Sequence, residues 1–267
     1  MVKINRYLMI LALLGGPFLF GVCDFTPPLY KRVFEAQNYL IEQRYHEAIE
    51  LYEKILESNP PADMKVKIYY QLGEVYSINL NNNRKGIEYY KKVKEVTEDP
   101  LWLVKVEERI GDINYSFIRN YSAAIDSYLL LSSFQPRLAS YDFYEYRLGQ
   151  SYLRKGDYVK GEEVFVRIQR DESHKYHVDS FFEAGLASFQ QKDWKRAVAF
   201  LNEYIRREKR RDGIIKAKFL VANAYETMEQ LKDAYNLYYS LLGEYPNTQV
   251  IQNRLNAIYN RRVARRR

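Results

Sequence analysis

The chain is poor in the residues that carry chemistry, and each scarcity excludes something. One cysteine among 267 residues excludes an internal disulfide framework. Of three histidines, His46 is followed by Glu47, but no second histidine completes a zinc-binding helix motif. The twelve glycines form no G-x-G-x-x-G, no G-x-x-x-x-G-K-[ST] and no G-x-S-x-G. Dinucleotide fingerprints, phosphate loops and nucleophile elbows are therefore missing. Carboxylates are plentiful, yet none sits in a recognisable general acid–base pair. The expectation is a protein that is not an enzyme, with no cofactor, no metal and no small-molecule substrate. Alternating polar and apolar runs and Asn-Gly turns are also lacking, which leaves little room for strands.

Net charge is missing from the body of the chain. The formal charge is +7, from 41 basic and 34 acidic residues. Lys3 and Arg6 stand near the amino terminus, and five arginines crowd positions 261–267. Without those seven cations, 34 basic residues face 34 acidic ones. A basic surface for nucleic acid is not indicated. One internal basic run, Arg206 to Arg211, contains Glu208 and is followed by Asp212, as a solvated loop would.

Long apolar runs are likewise absent, with one exception. Tyr7 to Val22 is apolar, follows Lys3 and Arg6, and precedes the first acidic residue, Asp24. This is the pattern of a secretory signal over residues 1–22, and the run is short for a membrane span. The single cysteine, Cys23, closes it.

What the sequence has is a beat. Small residues recur at Ala48, Gly86, Ala124, Gly161, Ala197 and Ala234, with spacings of 38, 38, 37, 36 and 37. Four positions after them stand Tyr52, Tyr90, Tyr128, Phe165, Leu201 and Tyr238. Twelve or thirteen positions before them stand Ala36, Gly73, Gly111, Gly149, Gly185 and Ala222. Small residues let two helices approach, and aromatics a turn away fill the space beside them. Each unit reads as two antiparallel helices with turns such as Gln43-Arg44, Asn81-Asn82-Asn83, Lys155-Gly156-Asp157 and Lys192-Asp193. Proline near unit ends, at Pro60, Pro100, Pro136 and Pro246, blocks helix continuation. The units run approximately over 29–64, 65–101, 102–138, 139–174, 175–211 and 212–246. Residues 247–267 follow as a capping helix, with Val250, Ile251, Leu255 and Ile258 inward, and a basic tail. His174 and His177, one helical turn apart among Asp171, Glu172 and Asp179, fall at a junction between units, where polar residues are expected anyway.

The segments HEAIELYEKILESNP (46–60) and LGQSYLRKGDYVKGEEVF (148–165) resemble the tetratricopeptide repeat. The resemblance implies an all-α fold: a right-handed superhelical solenoid of about six hairpins plus the capping helix. It also implies a concave face lined by the first helix of each unit. Three positions before the first small residue stand Val33, Tyr70, Glu108, Tyr146, Phe182 and Phe219; one position after it stand Gln37, Glu74, Asp112, Gln150, Leu186 and Asn223. Tyr70, Glu108, Tyr146, Phe182, Phe219, Gln150 and Asn223 form the candidate groove for a protein or peptide partner. The alternative is that these aromatics simply pack against the neighbouring repeat.

The placement of Cys23 resembles a bacterial lipobox, with Val22 and Phe20 departing from its usual residues. Lipidation of Cys23, an uncleaved anchor and ordinary cleavage all remain open readings. With the linker 23–28 and the repeats, the order resembles bacterial envelope repeat lipoproteins of outer-membrane barrel assembly and the Tol–Pal coordinator. It implies a scaffold facing the periplasm, held by lipid to the outer rather than the inner membrane. An adaptor of a motility, secretion or cell-wall complex and an enzyme accessory subunit are the alternatives.

Overall fold

The structure, a computed structural model, describes residues 28–264. The leader, Cys23, the linker up to Pro27 and Arg265 to Arg267 lie outside the described residues. The chain divides after Asn59 into two compact units.

The first unit is one hairpin, α1 (Pro28–Ile41) and α2 (Tyr45–Glu57). Ala36 and Ala48 are fully buried at its centre, with Tyr52 beside them.

The second unit repeats the hairpin five times: α3 (Ala62–Glu74) with α4 (Asn83–Val96), α5 (Pro100–Ile113) with α6 (Tyr121–Ser133), α7 (Tyr141–Lys155) with α8 (Tyr158–Ile168), α9 (His177–Gln190) with α10 (Trp194–Arg207), and α11 (Arg211–Thr227) with α12 (Leu231–Tyr239). A last helix, α13 (Thr248–Ala264), packs on α12. It buries Ile251, Leu255 and Ile258, while Val250 is only half-buried. No strand occurs among the described residues. All-helical hairpins followed by a final helix are thus what the sequence pattern predicts.

The beat has a direct steric cause. A Cβ built on Gly73 would lie 2.5 Å from the Tyr90 ring, and one on Gly149 would lie 2.6 Å from Phe165. The large residue of the second helix sits on the small residue of the first, so the two positions are one contact. Packing at this density leaves no room for another carbon.

The turns are equally periodic. Gln43, Asn81, Arg119, Gly156, Lys192 and Glu229 all have positive φ, at the same point of each hairpin. The next residue opens the second helix. In the second to fifth hairpins its side-chain oxygen accepts a backbone N–H: Asn82 from Lys85, Asn120 from Ala123, Asp157 from Lys160 and Asp193 from Arg196. These caps satisfy donors that a helix start leaves unpaired.

The spacing of thirteen also has a cause. Only the second and third hairpins space their small positions thirteen apart, Gly73 to Gly86 and Gly111 to Ala124. Their first helices end in a π turn, Val75–Asn79 and Asn114–Ile118. The extra residue is absorbed there as one widened turn. Polar side chains occupy it: Ser77 Oγ donates to the Gly73 carbonyl at 2.7 Å and Asn114 Nδ2 to the Ile110 carbonyl at 2.8 Å.

Candidate functional site

Within the second unit, residues predicted for the groove fall at four places. Tyr70 and Glu108 line one cavity of about 330 Å³, together with Lys105, Arg109, Asp112 and Phe143. Tyr146 and Gln150 meet at Glu183, to which the Tyr146 hydroxyl donates at 2.9 Å and Gln150 Nε2 at 3.0 Å. Phe182 packs on Tyr204, ring centroids 5.1 Å apart. Phe219 lies between Tyr238 and Tyr245, stacked on the latter at 4.5 Å.

The polar row has internal work to do. The Tyr90 hydroxyl donates to Glu74 Oε1 at 2.5 Å, Tyr128 to Asp112 Oδ1 at 2.7 Å and Tyr238 to Asn223 Oδ1 at 2.9 Å. Where the second helix carries Phe165 or Leu201 instead of tyrosine, the row carries Gln150 or Leu186. In the three hairpins with tyrosine the acid or amide supplies the acceptor without which a buried O–H costs about 1–3 kcal/mol. Asn223 spends its other arm on the Phe219 carbonyl at 2.9 Å. Burial is the main cause that raises the phenols of Tyr90, Tyr128, Tyr146 and Tyr238 far above their ordinary range, so they stay neutral donors.

Within the second unit, bonds also link neighbouring first helices. Arg109 of α5 contacts Glu74 of α3 at 3.0 Å, and Tyr144 of α7 donates to Glu108 of α5. Tyr115, in the π turn after α5, donates to Gln150 of α7 at 3.4 Å. The sequence pattern did not reach Glu183, Arg109, Lys105 or Tyr144, because they fall outside the two rows counted. For Glu183 and Arg109 the signal was the adjacent helical position, one step round from Phe182 and Glu108.

Lys105 stands apart. Its ammonium lies 4.2 Å from the Tyr70 ring centre and 5.0 Å from that of Trp102, and it makes no ion pair among the described residues. The cavity therefore offers one cation outside any ion pair against aromatic faces, with the carboxylates of Glu108 and Asp112 in the same lining.

The basic run 206–211 is not the plain solvated loop its charge suggests. Glu208 accepts the Lys209 and Arg210 backbone N–H groups, both at 2.8 Å, and pairs with the Arg210 guanidinium, which also holds Asp179 at 2.7 Å. Arg207 pairs with Glu203, and Arg211 with Glu244. These bonds tie α9, α10, α11 and the end of the last hairpin. The sequence could not show this, since Asp179 and Glu244 lie about thirty residues away.

Among the described residues, no group of three or more His, Cys, Asp or Glu is arranged to hold a metal ion, and no helix is long and apolar enough to cross a membrane.

Models of the tetratricopeptide repeat match residues 33–61, 66–100 and 179–208. No curated protein sequence matches. A repeat-containing protein from Cytophaga hutchinsonii shares the fold with TM-score 0.63 and 19% identity, over 87% of this chain and 89% of that one. The structure of Naa15/Naa10 bound to HypK-THB matches with TM-score 0.68 and 16% identity, over 87% of this chain; this chain spans only 34% of that one. PilW, titled a widely conserved type IV pilus biogenesis factor, matches with TM-score 0.50 and 16% identity, over 84% and 97%. At these identities the likeness is one of fold. Stacked hairpins of this kind expose long first-helix faces suited to protein partners. The repeat models, the beat and the hairpin geometry agree: this chain carries tetratricopeptide repeats, at residues 33–61, 66–100 and 179–208.

Proposed function

We propose that this protein is a non-enzymatic scaffold that holds an extended segment of a partner protein along its first-helix face. The observation that carries the reading is the cavity between α3, α5 and α7, where the free ammonium of Lys105 lies over Tyr70 and Trp102. Apolar side chains of the partner would rest on Tyr70, Tyr146, Phe182 and Phe219, and a carboxylate or carbonyl would meet Lys105. Glu108, Gln150 and Asn223 shape the face through their internal bonds and present their remaining lone pairs to the partner's backbone. The test is capture of partners by the full chain from detergent-solubilised envelopes. Tyr146→Ala with Phe182→Ala, or Lys105→Glu, is expected to lower recovery at least tenfold with helical circular dichroism intact. Unchanged recovery overturns the reading.

The finer reading is a lipoprotein of the bacterial envelope, anchored through Cys23 to the outer membrane and facing the periplasm. Its support is the order of leader, cysteine and repeats in the sequence. Mass spectrometry of the mature amino terminus tests it: an acylated Cys23 is expected, and an intact leader or an unmodified new terminus overturns it. Within the envelope, barrel assembly is the first reading. The fold shared with PilW favours the second, an adaptor of a pilus-type complex. The captured partners decide between them.

A further inference from the structure

His174 sits in the connection between α8 and α9 and is used by neither the repeat pattern nor the partner face. Its side chain is buried, and its Nδ1 accepts the backbone N–H of Tyr176 at 3.1 Å. A neutral imidazole that accepts at one nitrogen carries its proton on the other. That proton is on Nε2, which is buried without a hydrogen-bond partner. Asp142 Oδ1 and Glu145 Oε2 both lie 3.6 Å from it, beyond hydrogen-bond reach. The tautomer leaves no lone pair on Nε2 for a cation, so the place is built for a proton.

Tyr176 links this imidazole to the partner face. Its backbone is held by His174, and the neighbouring Lys175 N–H donates to Asp142 Oδ2 at 2.8 Å. Its ring stacks on Tyr146, with centroids 4.3 Å apart and planes 9° from parallel. Tyr146 is one of the aromatics proposed to meet the partner. One nitrogen of His174 thus fixes the residue that covers one side of that ring.

We infer that His174 is a proton switch: a proton taken from solvent onto Nδ1 turns that acceptor into a donor, breaks the bond to Tyr176, draws the imidazolium toward Asp142 and Glu145, and releases the covered side of Tyr146. The movement stands on its own; only its effect on partner capture rests on the function proposed above.

The surrounding charges set where it operates. Asp142 and Glu145 of α7 and Asp171 of the connection favour the charged ring; Arg137, before α7, opposes it. Arg167 of α8 occupies the other oxygen of Glu145. Lys175 is exposed beside the ring, and on the far side Arg207 of α10 lies 3.5 Å from His177 Nε2. Burial is the largest influence, and it pushes the His174 imidazole below its ordinary 6.5.

With only three histidines in the chain, nitrogen-15 histidine labelling resolves each ring by NMR. At neutral pH His174 is expected in the Nε2–H form. On acidification it should titrate below the ordinary 6.5, and the Tyr176 amide and Tyr146 ring signals should move with the same midpoint. His174→Asn, whose oxygen can still accept the Tyr176 N–H, should leave those two signals flat. Asp142→Asn should move the wild-type midpoint further down; if His174→Asn does not fold, this variant and the wild-type curve decide. An Nδ1–H form at neutral pH, a Tyr146 midpoint unlike that of His174, or the same movement in His174→Asn overturns the switch. Capture compared at about pH 7.5 and about pH 5.5 separates the two proposals. Tyr146 signals that move while capture stays constant overturn the partner role of Tyr146 and leave the switch standing.

Discussion

The second and third hairpins carry a buried hydroxyl where the fourth and fifth carry none. Tyr90 and Tyr128 reach Glu74 and Asp112 across their hairpins; Phe165 and Leu201 occupy the same place beside Gln150 and Leu186. The same two hairpins also hold the extra residue and its π turn. In these two hairpins the polar atom in the core and the added residue in the helix each come with a matching device nearby. Regular packing needs no such device.

Deletions should break this contrast most strongly. Removing exposed Arg154 from α7 leaves a spacing of eleven where twelve is needed, rotating Gly161 off its contact by about 100°. A loss of more than about 4 kcal/mol is expected in urea denaturation. Removing Ile78 from the first π turn returns the second hairpin to a spacing of twelve, with an expected loss of about 1 kcal/mol or less.

Moving the hydroxyl comes next. Leu201→Tyr puts a phenol where Leu186 offers no acceptor, and about 3 kcal/mol should be lost. Tyr128→Phe removes the donor from Asp112 and should cost about 1 to 2 kcal/mol. Tyr52, in the first hairpin, sharpens the comparison. Its hydroxyl is buried without a hydrogen-bond partner, and burial pushes its phenol up to about 12. Tyr52→Phe should therefore be neutral or stabilise by about 1 kcal/mol. Thermal unfolding of the three variants side by side checks the order.

The turns give a smaller effect of opposite sign in neighbouring hairpins. Gly156 has φ 88° and open space around a built Cβ, so Gly156→Ala should lose about 1 kcal/mol from backbone strain alone. Lys192 adopts the same conformation without being glycine, at φ 63°, and Lys192→Gly should gain up to about 1 kcal/mol.

The two junctions should differ in acid. The His174 imidazole is depressed in the fold, so its contribution is whole above about 6.5 and is lost as pH falls through the folded value. Glu208 is held at about 2, chiefly by Arg210, against an ordinary 4.5. Its contribution is whole above 4.5 and is lost only as pH falls toward 2. Stability measured against pH should decline in two stages, and His174→Asn should remove the first.

Much of this was legible beforehand. The pairing of Gly73 with Tyr90 and of Gly149 with Phe165 follows from spacing, because helical periodicity places both on facing sides. The inner side of α13 was legible for the same reason, apart from Val250. The candidate face was legible as a row, but not as a set of free groups. Asn223 looks like an open amide in the sequence; in the fold Tyr238 and the Phe219 carbonyl occupy both its arms. Gln150 is similarly engaged by Glu183 and Tyr115.

What the amino-acid order determined alone is the hairpin, its length and its turns. These depend on residues within one helical turn or one hairpin, where volume and backbone preference act locally. What only the tertiary structure decided is which polar atoms are spent and which are left over. Arg109 finds Glu74 and Tyr146 finds Glu183 across 35 and 37 positions, while Lys105 makes no ion pair among the described residues. Hydrogen bonds and ion pairs act over about 3 Å, and spacing along a chain does not specify distances that short between separate repeats.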